Sequence, residues 1–303
     1  MTIRKKIIIV LSVLFSLFLV WYLFIKESDY SITFKVKTAT GNVLQGIQEW
    51  SAAQALKENE SYVVLEKRNF DFIKQEVKKG NDQFEYSWDI KSINDSVTKV
   101  TVDIKDFNHS LYNKLTAPFF NTSFKKEQIN KVKDLKTGII NQLKSFKVRV
   151  DGEGTSEETF FAYISLKSVL QEKAQNMIMS DAGITGFLFD NKIKIIGRPY
   201  VEIINWNLES ETIDFNYCFP IDKDTKVIAN ETVKFKTLPA LKGLKATYYG
   251  NYRTSDRAWF TLLDYAKKNN IKLQKKVLEH FLANPFNGGN ELEWETKIII
   301  PFD

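Results

Sequence analysis

Cysteine and histidine are nearly absent from this chain, whose 303 residues include one cysteine and two histidines. The single thiol, Cys218, cannot form an intramolecular disulfide. His109 and His280 alone argue against a metal centre built from cysteine and histidine ligands. Cys218 lies in the apolar run 215–219, which favours a small buried core residue over a nucleophile. We therefore expect neither a metal nor a cofactor.

A strong charge of one sign is also missing. The net charge is +6 and 26% of the residues are charged, so acidic and basic groups are interspersed and the basic excess is mild. Such a balance does not by itself indicate nucleic acid, and no helix-turn-helix pattern precedes the C-terminal region. We expect no nucleic-acid partner. The hydrophobic content of 44% is typical of a globular chain, and the length favours two domains.

One long apolar run is present near the N-terminus. Residues 7–25 contain only two serines as polar interruptions, and about 20 apolar residues are needed to cross a bilayer core. Basic residues at positions 4–6 predict a cytoplasmic start, with everything after Ser28 on the outer side of the membrane. Residues 23–27 offer no small-residue cleavage site, so an uncleaved signal anchor over residues 1–28 is favoured over a cleaved signal peptide.

The pattern of residues 29–150 predicts antiparallel strands followed by one long helix. Apolar and polar residues alternate over 30–36, 84–90 and 97–104, which is typical of half-buried strands. Asn94-Asp95-Ser96 favours a hairpin turn between the last two. Apolar residues then recur every three or four positions from Phe124 to Phe146, a stripe that predicts a helix covering the sheet.

The segment Val43–Trp50 carries a Val-x-x-x-hydrophobic-x-x-Trp pattern between the first strand and the sheet. Together with the closing helix, this order of elements resembles the START-like, or polyketide-cyclase-like (SRPBCC), helix-grip domain. The resemblance implies an apolar ligand, such as a lipid, held between sheet and helix. The interior could equally be filled by the chain's own rings, for example Trp50, Trp88 and Phe146.

Beyond a polar, glycine-containing segment at 151–158, which predicts a linker, the chain repeats one order of elements. A strand at 160–164, a helix starting near Ser168 and stopping near Gly183, and strands at 200–206 and 211–220 form the first copy. The second copy has a strand at 245–249, a helix capped near Ser255, and strands at 277–282 and 294–301. We therefore predict an α+β fold in which residues 159–303 form a tandem βαββ duplication.

Glu279 is the most informative carboxylate of the second copy. In an extended segment side chains alternate between faces, so Val277, Glu279 and Phe281 point one way. An ionised carboxylate among apolar groups needs a cation or a hydrogen-bond donor, or its pKa rises. Glu279 is therefore a candidate ligand contact, and a solvated position at the rim of the strand is the alternative.

Three C-terminal motifs, in order, resemble the GyrI-like small-molecule-binding domain, also found as the effector-binding half of AraC-type regulators. They are Gly250-Asn251-Tyr252, then Glu279-His280-Phe281 with Asn284-Pro285, and then Glu295-Thr296 leading to Ile300-Pro301. The resemblance implies pseudo-twofold symmetry and a ligand in the cleft between the two halves. The candidate walls are Tyr163, Trp206, Tyr217, Tyr249, Trp259, Glu279, Phe281 and Trp294. Core packing is the alternative for every ring among them.

These patterns favour a membrane-anchored protein that binds an aromatic, amphipathic or cationic small molecule, with Glu279 as the counter-charge. Enzyme activity stays open: some GyrI-like proteins resemble hydrolases of strained electrophiles, with the glutamate as base. Phe281 stands where that family more often has tyrosine, which argues against this chemistry. A further alternative is lipid binding or sensing by the START-like region. Transcriptional control is disfavoured because the apolar run and the START-like region occupy the place of a DNA-binding domain.

Overall fold

A computed structural model describes residues 3–68, 70–94, 97–227, 231–283 and 288–303. The chain folds into two compact units, of which the first contains most residues up to Ile139 and the second consists mainly of Ile140–Asp303. Helices accompany two antiparallel sheets, so the α+β class is confirmed. The predicted turn, from residue 95 on, and the Asn284-Pro285 pair lie outside the described residues.

The apolar run near the N-terminus forms helix α1, Ile3–Val20, which a π-helical turn continues over Trp21–Ile25. Together these two segments cover 23 residues, Ile3–Ile25, with a mean hydropathy of 2.8 in the most apolar window, and none of that window is buried in the described structure. Its length and composition suffice to cross a membrane, and an N-terminal signal sequence shares both properties. Residues 26–29 lead directly into the first strand, and the Asp29 N–H donates to the Ile104 carbonyl (2.8 Å).

The first unit is a five-stranded antiparallel sheet with helices. Its strands follow the order β1-β5-β4-β3-β2 across the sheet. The elements along the chain are β1 Tyr30–Val36, α2 Thr40–Glu58, β2 Ser61–Arg68, β3 Phe72–Lys79, β4 Asp82–Asn94, β5 Val97–Asp106, α3 Ser110–Thr116 and α4 Ser123–Gln142.

Helix α4 buries the predicted apolar stripe, which includes Val132, Leu135 and Ile139. It also makes a polar contact with the sheet, because the Tyr86 hydroxyl donates to Gln128 Oε1 at 2.6 Å. The helix ends before the predicted Phe146. That ring instead opens a strand of the second unit and stacks on Tyr248, with ring centroids 5.9 Å apart.

The second unit contains an eight-stranded antiparallel sheet in the order β10-β7-β9-β8-β12-β13-β11-β6. Two helices lie between its strands along the chain. The elements are β6 Phe146–Thr155, β7 Thr159–Val169, α5 Lys173–Asp190, β8 Tyr200–Asn207, β9 Thr212–Pro220, β10 Lys234–Leu238, β11 Lys242–Gly250, α6 Asp256–Lys268, β12 Val277–Phe281 and β13 Glu295–Pro301.

The strand-helix-strand-strand order occurs twice, as β7-α5-β8-β9 and β11-α6-β12-β13. The two copies meet where β8 pairs with β12, and Glu279 lies opposite Val201 in that register. The strand order β7-β9-β8 on one side of this junction matches β11-β13-β12 on the other. A pseudo-twofold relation between the halves stays a prediction.

Boundaries in the second unit also differ from the sequence-based expectation. Residues 151–155 of the predicted linker lie in β6, which pairs with β11 and shifts register beside Lys245. Gly152 has a φ of 87° at that shift, a value that glycine adopts without strain. This glycine therefore belongs to a β-bulge within the strand and not to a flexible linker. Helix α5 continues beyond Gly183 to Asp190, because a glycine inside a packed helix lowers its stability without ending it.

Candidate functional site

Strand β12 presents two faces, as the alternation of its residues predicts. Leu278 joins an apolar cluster with Phe161 and Ile299 on one face of the sheet. On that same face His280 stacks on Tyr200, with ring centroids 3.8 Å apart. The opposite face therefore carries Val277, Glu279 and Phe281.

Glu279 is fully buried and has a partner on each carboxylate oxygen. Lys173 Nζ lies 2.6 Å from Oε2, and the indole N–H of Trp259 donates to Oε1 at 2.8 Å. Lys173 also donates to Ser255 Oγ at 2.7 Å, and its ammonium lies 4.5 Å from the centroid of the Trp259 ring. The solvated position at the strand rim is therefore wrong, and the charge of Glu279 is neutralised from within the domain.

Lys173 is the first residue of α5, so this ion pair joins the first half of the domain to the second. A cation at a helix N-terminus is unfavourable with respect to the helix dipole. Burial of the ammonium, which is 1% exposed, costs further free energy unless a counter-charge lies nearby. Glu279 and Ser255 supply the compensating contacts. Sequence reasoning missed Lys173, although it lies one turn before the buried Met177 on the apolar face of α5.

Beside this cluster lies a cavity of about 470 Å³. Helix α5 and strand β9 line it from the first half of the domain, and the turn at residues 251–253, the end of β12 and Trp294 line it from the second. Its larger apolar and aromatic lining residues are Met177, Ile178, Ile195, Tyr217, Phe219, Tyr252, Phe281 and Trp294.

The polar groups of the cavity are few. The Tyr217 hydroxyl donates to Asp181 Oδ1 at 2.7 Å, and burial together with this carboxylate raises the pKa of the Tyr217 phenol. The Tyr252 hydroxyl donates to the Ala283 carbonyl, and burial raises the pKa of Tyr252 to about 12. Both phenols are therefore neutral near pH 7. The side chains of Thr185 and Asn251 and the exposed guanidinium groups of Arg198 and Arg253 complete the polar lining.

Among the walls predicted in the second half of the domain, Phe281 and Trp294 line the cavity. The Tyr252 ring lies between them, 4.4 Å from the Phe281 centroid and 6.2 Å from that of Trp294. Tyr217, also proposed as a wall, lines the opposite side. These residues come from both halves of the domain, and a ligand site between the halves stays a prediction.

The other predicted residues lie elsewhere. Among the residues that the structure describes, Glu279, Trp206 and Trp259 do not line the cavity. Trp206 and Trp259 are buried and pack edge to face at 5.2 Å, so the core-packing alternative fits both rings. Tyr163 and Tyr249 lie on the opposite face of the sheet. Tyr163 packs against the apolar cluster there, and Tyr249 alternates with the inward-facing Tyr248.

Helix α5 contributes the lining residues that sequence reasoning missed, Met177 and Asp181. They lie one helical turn apart on one face, a spacing that indicates a shared surface. Arg198, which precedes a proline in the connection to β8, had no comparable signal. Within the described ranges, no group of three or more histidine, cysteine, aspartate or glutamate side chains is placed to hold a metal ion. Cys218 is buried, and burial raises the pKa of its thiol.

A family model described as the GyrI-like small molecule binding domain matches residues 151–303. Similar solved structures include the EcmrR C-terminal domain, at 13% identity over 52% of this chain and 98% of that one, with a TM-score of 0.42. SAV2435 bound to tetraphenylphosphonium is 12% identical over 52% and 93%, with a TM-score of 0.33. A hydrolase encoded by lin2189 from Listeria innocua is 9% identical over 52% and 92%, with a TM-score of 0.32. Among curated proteins, none matches this sequence.

Proposed function

The chain belongs to the family of GyrI-like small-molecule-binding domains through residues 151–303, and we propose that this domain binds an aromatic, amphipathic molecule in the cavity beside Phe281. The observation that carries the proposal is the cavity itself. Its volume of about 470 Å³ is that of a site for a small organic ligand, and rings with a few polar groups line it. Each favourable ring-on-ring contact with a ligand contributes about 0.5–1.5 kcal/mol beyond area burial.

The charge of the ligand follows from the partners of Glu279. The sequence suggests a cationic ligand because Glu279 would supply the counter-charge, whereas Lys173 already neutralises that carboxylate. The acidic residue that does line the cavity, Asp181, accepts a hydrogen bond from Tyr217 and shares the cavity with two guanidinium groups. These contacts favour a neutral or anionic amphipath over a cation.

The hydrolase alternative needs a water molecule within reach of Glu279. Both of its carboxylate oxygens are occupied by Lys173 and Trp259, and the side chain is fully buried. Phe281 brings no hydroxyl to the strand. These observations favour binding over base catalysis.

We further propose that α1 is an uncleaved signal anchor with its start in the cytoplasm and both folded units on the outer side of the membrane. The 23 residues of α1 and the helical turn that continues it, with a mean hydropathy of 2.8 in their most apolar window, support the span. The five-stranded sheet with α4 packed against it supports a START-like identity for the first unit. Lipid binding there competes with filling of the interior by buried rings such as Trp88 and Tyr86.

Three fluorescent or radiolabelled probes test the cavity in the full-length chain: anionic 8-anilinonaphthalene-1-sulfonate, neutral N-phenyl-1-naphthylamine, and cationic tetraphenylphosphonium. We expect saturable binding of the first two. Met177→Trp places a bulky ring in the cavity and should weaken their binding at least tenfold. Met179→Trp is the matched control, because Met179 lies on the same helix and is exposed.

Equal affinities of the two variants would place the probes elsewhere and refute the cavity as the site. Binding of the cation alone would leave the cavity in place and refute the assignment of ligand charge. Retention of the native near-ultraviolet circular dichroism in both variants excludes misfolding as the cause of a loss.

A further inference from the structure

An apolar surface lies on the first unit beside the end of α1. We define the α3 patch as the large apolar side chains exposed on α3 and in the turn that follows it: Leu111, Tyr112, Leu115, Phe119 and Phe120. Their exposed fractions run from 49% to 80%. Five large exposed side chains within ten residues exceed the scattered apolar residues normal on a soluble surface, and such patches mark sites of interaction with proteins or membranes.

The patch forms one continuous stripe. Leu111, Leu115 and Phe119 are spaced four residues apart, so they share a helical face. The Phe120 N–H donates to the Thr116 carbonyl at 2.8 Å, which continues the helical turn past the end of α3. The opposite face of α3 is buried at Asn113, so the helix is amphipathic, with its apolar side outward.

The buried face of α3 holds the end of the N-terminal helix. Lys114, itself 4% exposed, donates from Nζ to the carbonyl oxygens of Leu23, at 3.3 Å, and of Lys26. The Tyr22 hydroxyl donates in return to the Lys114 carbonyl at 3.1 Å. The last carbonyls of a helix lack partners within the helix and carry partial negative charge, so a buried ammonium stabilises this end. The α3 patch therefore lies at the level at which the apolar helix ends.

We propose that the α3 patch inserts into the interfacial layer of the outer leaflet of the bilayer that α1 spans. The inference rests on the membrane span proposed above and goes beyond it by assigning a second membrane contact. Trp21 and Tyr22 are the residue types that sit at a membrane interface. Phe24 and Ile25, which are also exposed, lie in sequence between the two residues whose carbonyls Lys114 contacts. The Lys26 ammonium lies 5.2 Å from the centroid of the Tyr22 ring. This is the arrangement of an amphipathic helix lying in the headgroup region, with basic groups at its border.

Site-directed spin labelling of the full-length chain tests the depth of the patch. Cys218→Ala removes the native thiol, and single cysteines then replace Leu115 and Phe119 in the patch, Leu14 in α1, and Leu56, which is 89% exposed on the same unit. The labelled proteins are reconstituted into phosphatidylcholine–phosphatidylglycerol vesicles. Collision rates with oxygen and with a neutral nickel chelate then report whether each label lies in lipid or in water.

We expect labels at residues 14, 115 and 119 to favour oxygen several-fold over the nickel chelate, and the label at 56 to show the reverse. If the label at 14 lies in lipid while those at 115 and 119 behave like that at 56, the patch inference is overturned and the span stands. If the label at 14 also lies in water, the span fails and the patch inference fails with it. Dipolar broadening between labels at 115 would indicate a second copy of the chain as the occupant and would equally overturn the inference.

Discussion

Replacing Lys173 by methionine tests the internal neutralisation of Glu279. Methionine retains most of the apolar stem but removes the ammonium, so the fully buried Glu279 keeps only the Trp259 indole as a donor. Removal of one partner of a buried ion pair costs about 3–5 kcal/mol because the other charge is left uncompensated. The stability of a whole domain is typically about 5–15 kcal/mol. We therefore expect the variant to fold with a large loss in its free energy of unfolding.

The double variant Lys173→Met/Glu279→Gln separates charge from packing. Glutamine has the shape of glutamate and can still accept the Trp259 hydrogen bond, but it carries no charge. We expect the double variant to recover at least about half of the stability that Lys173→Met loses, since replacement of a whole buried pair is often nearly neutral.

The assay is urea unfolding of the full-length chain in non-ionic detergent, followed by near-ultraviolet circular dichroism. Hydrogen exchange with mass spectrometry assigns the change to α5 and β12. A loss below about 1 kcal/mol for Lys173→Met, the value of an exposed pair, would refute the reasoning. So would a double variant no more stable than the single one.

Three further outcomes are expected. Burial lowers the pKa of His280 from 6.5 to about 4, so the folded chain favours the neutral imidazole. The contribution of His280 to stability is therefore full above pH 6.5, and it is lost as the pH falls towards 4 because the unfolded chain takes up the proton first. The free energy of unfolding, measured with urea, should fall between pH 7 and pH 4 by roughly 1–3 kcal/mol less in His280→Gln than in the wild type. An equal fall in both proteins would contradict this assignment. A Cβ at Gly243 would overlap the backbone of Ile300, so Gly243→Ala should cost about 1–3 kcal/mol. By contrast, Gly183→Ala in open space within α5 should add about 0.5–1 kcal/mol; similar melting temperatures for the two variants would refute this comparison. Cys218 should react with Ellman's reagent only after unfolding, because it is fully buried, and rapid labelling of the native chain would show otherwise.

Most of the features that could be predicted from the sequence follow from the alternation of apolar and polar residues along the strands. The burial pattern of β5 and the orientation of Glu279 both follow from period-two alternation, which depends only on neighbouring residues. The twofold strand-helix-strand-strand order was visible for the same reason. The edge strands β6 and β10 were not predicted, because exposed edges tolerate polar residues and glycine and so lose the apolar signal.

The partners of Glu279 and the position of the cavity depend on packing between distant segments. Lys173 is separated from Glu279 by 106 positions, and no local pattern connects them. A lysine on the apolar side of a helix near its start was the one available sign. The sequence predicts Trp206 and Trp259 as walls of the ligand cleft because aromatic rings occur in hydrophobic cores and in binding sites alike. The packing of the two rings against each other identifies them as core residues.

The junction between α1 and β1 has a mechanical consequence. Only residues 26–29 separate the helical end from the sheet, and hydrogen bonds of Asp29 and Lys114 fix both sides of that connection. Because this connection is so short, the direction of α1 is coupled to the direction of the sheet, and α1 is not a flexible attachment. If α1 spans a bilayer as proposed above, changes in its tilt, such as those imposed by bilayers of different thickness, would therefore turn the sheet with it, and the orientation of the first unit would report the thickness of the surrounding lipid.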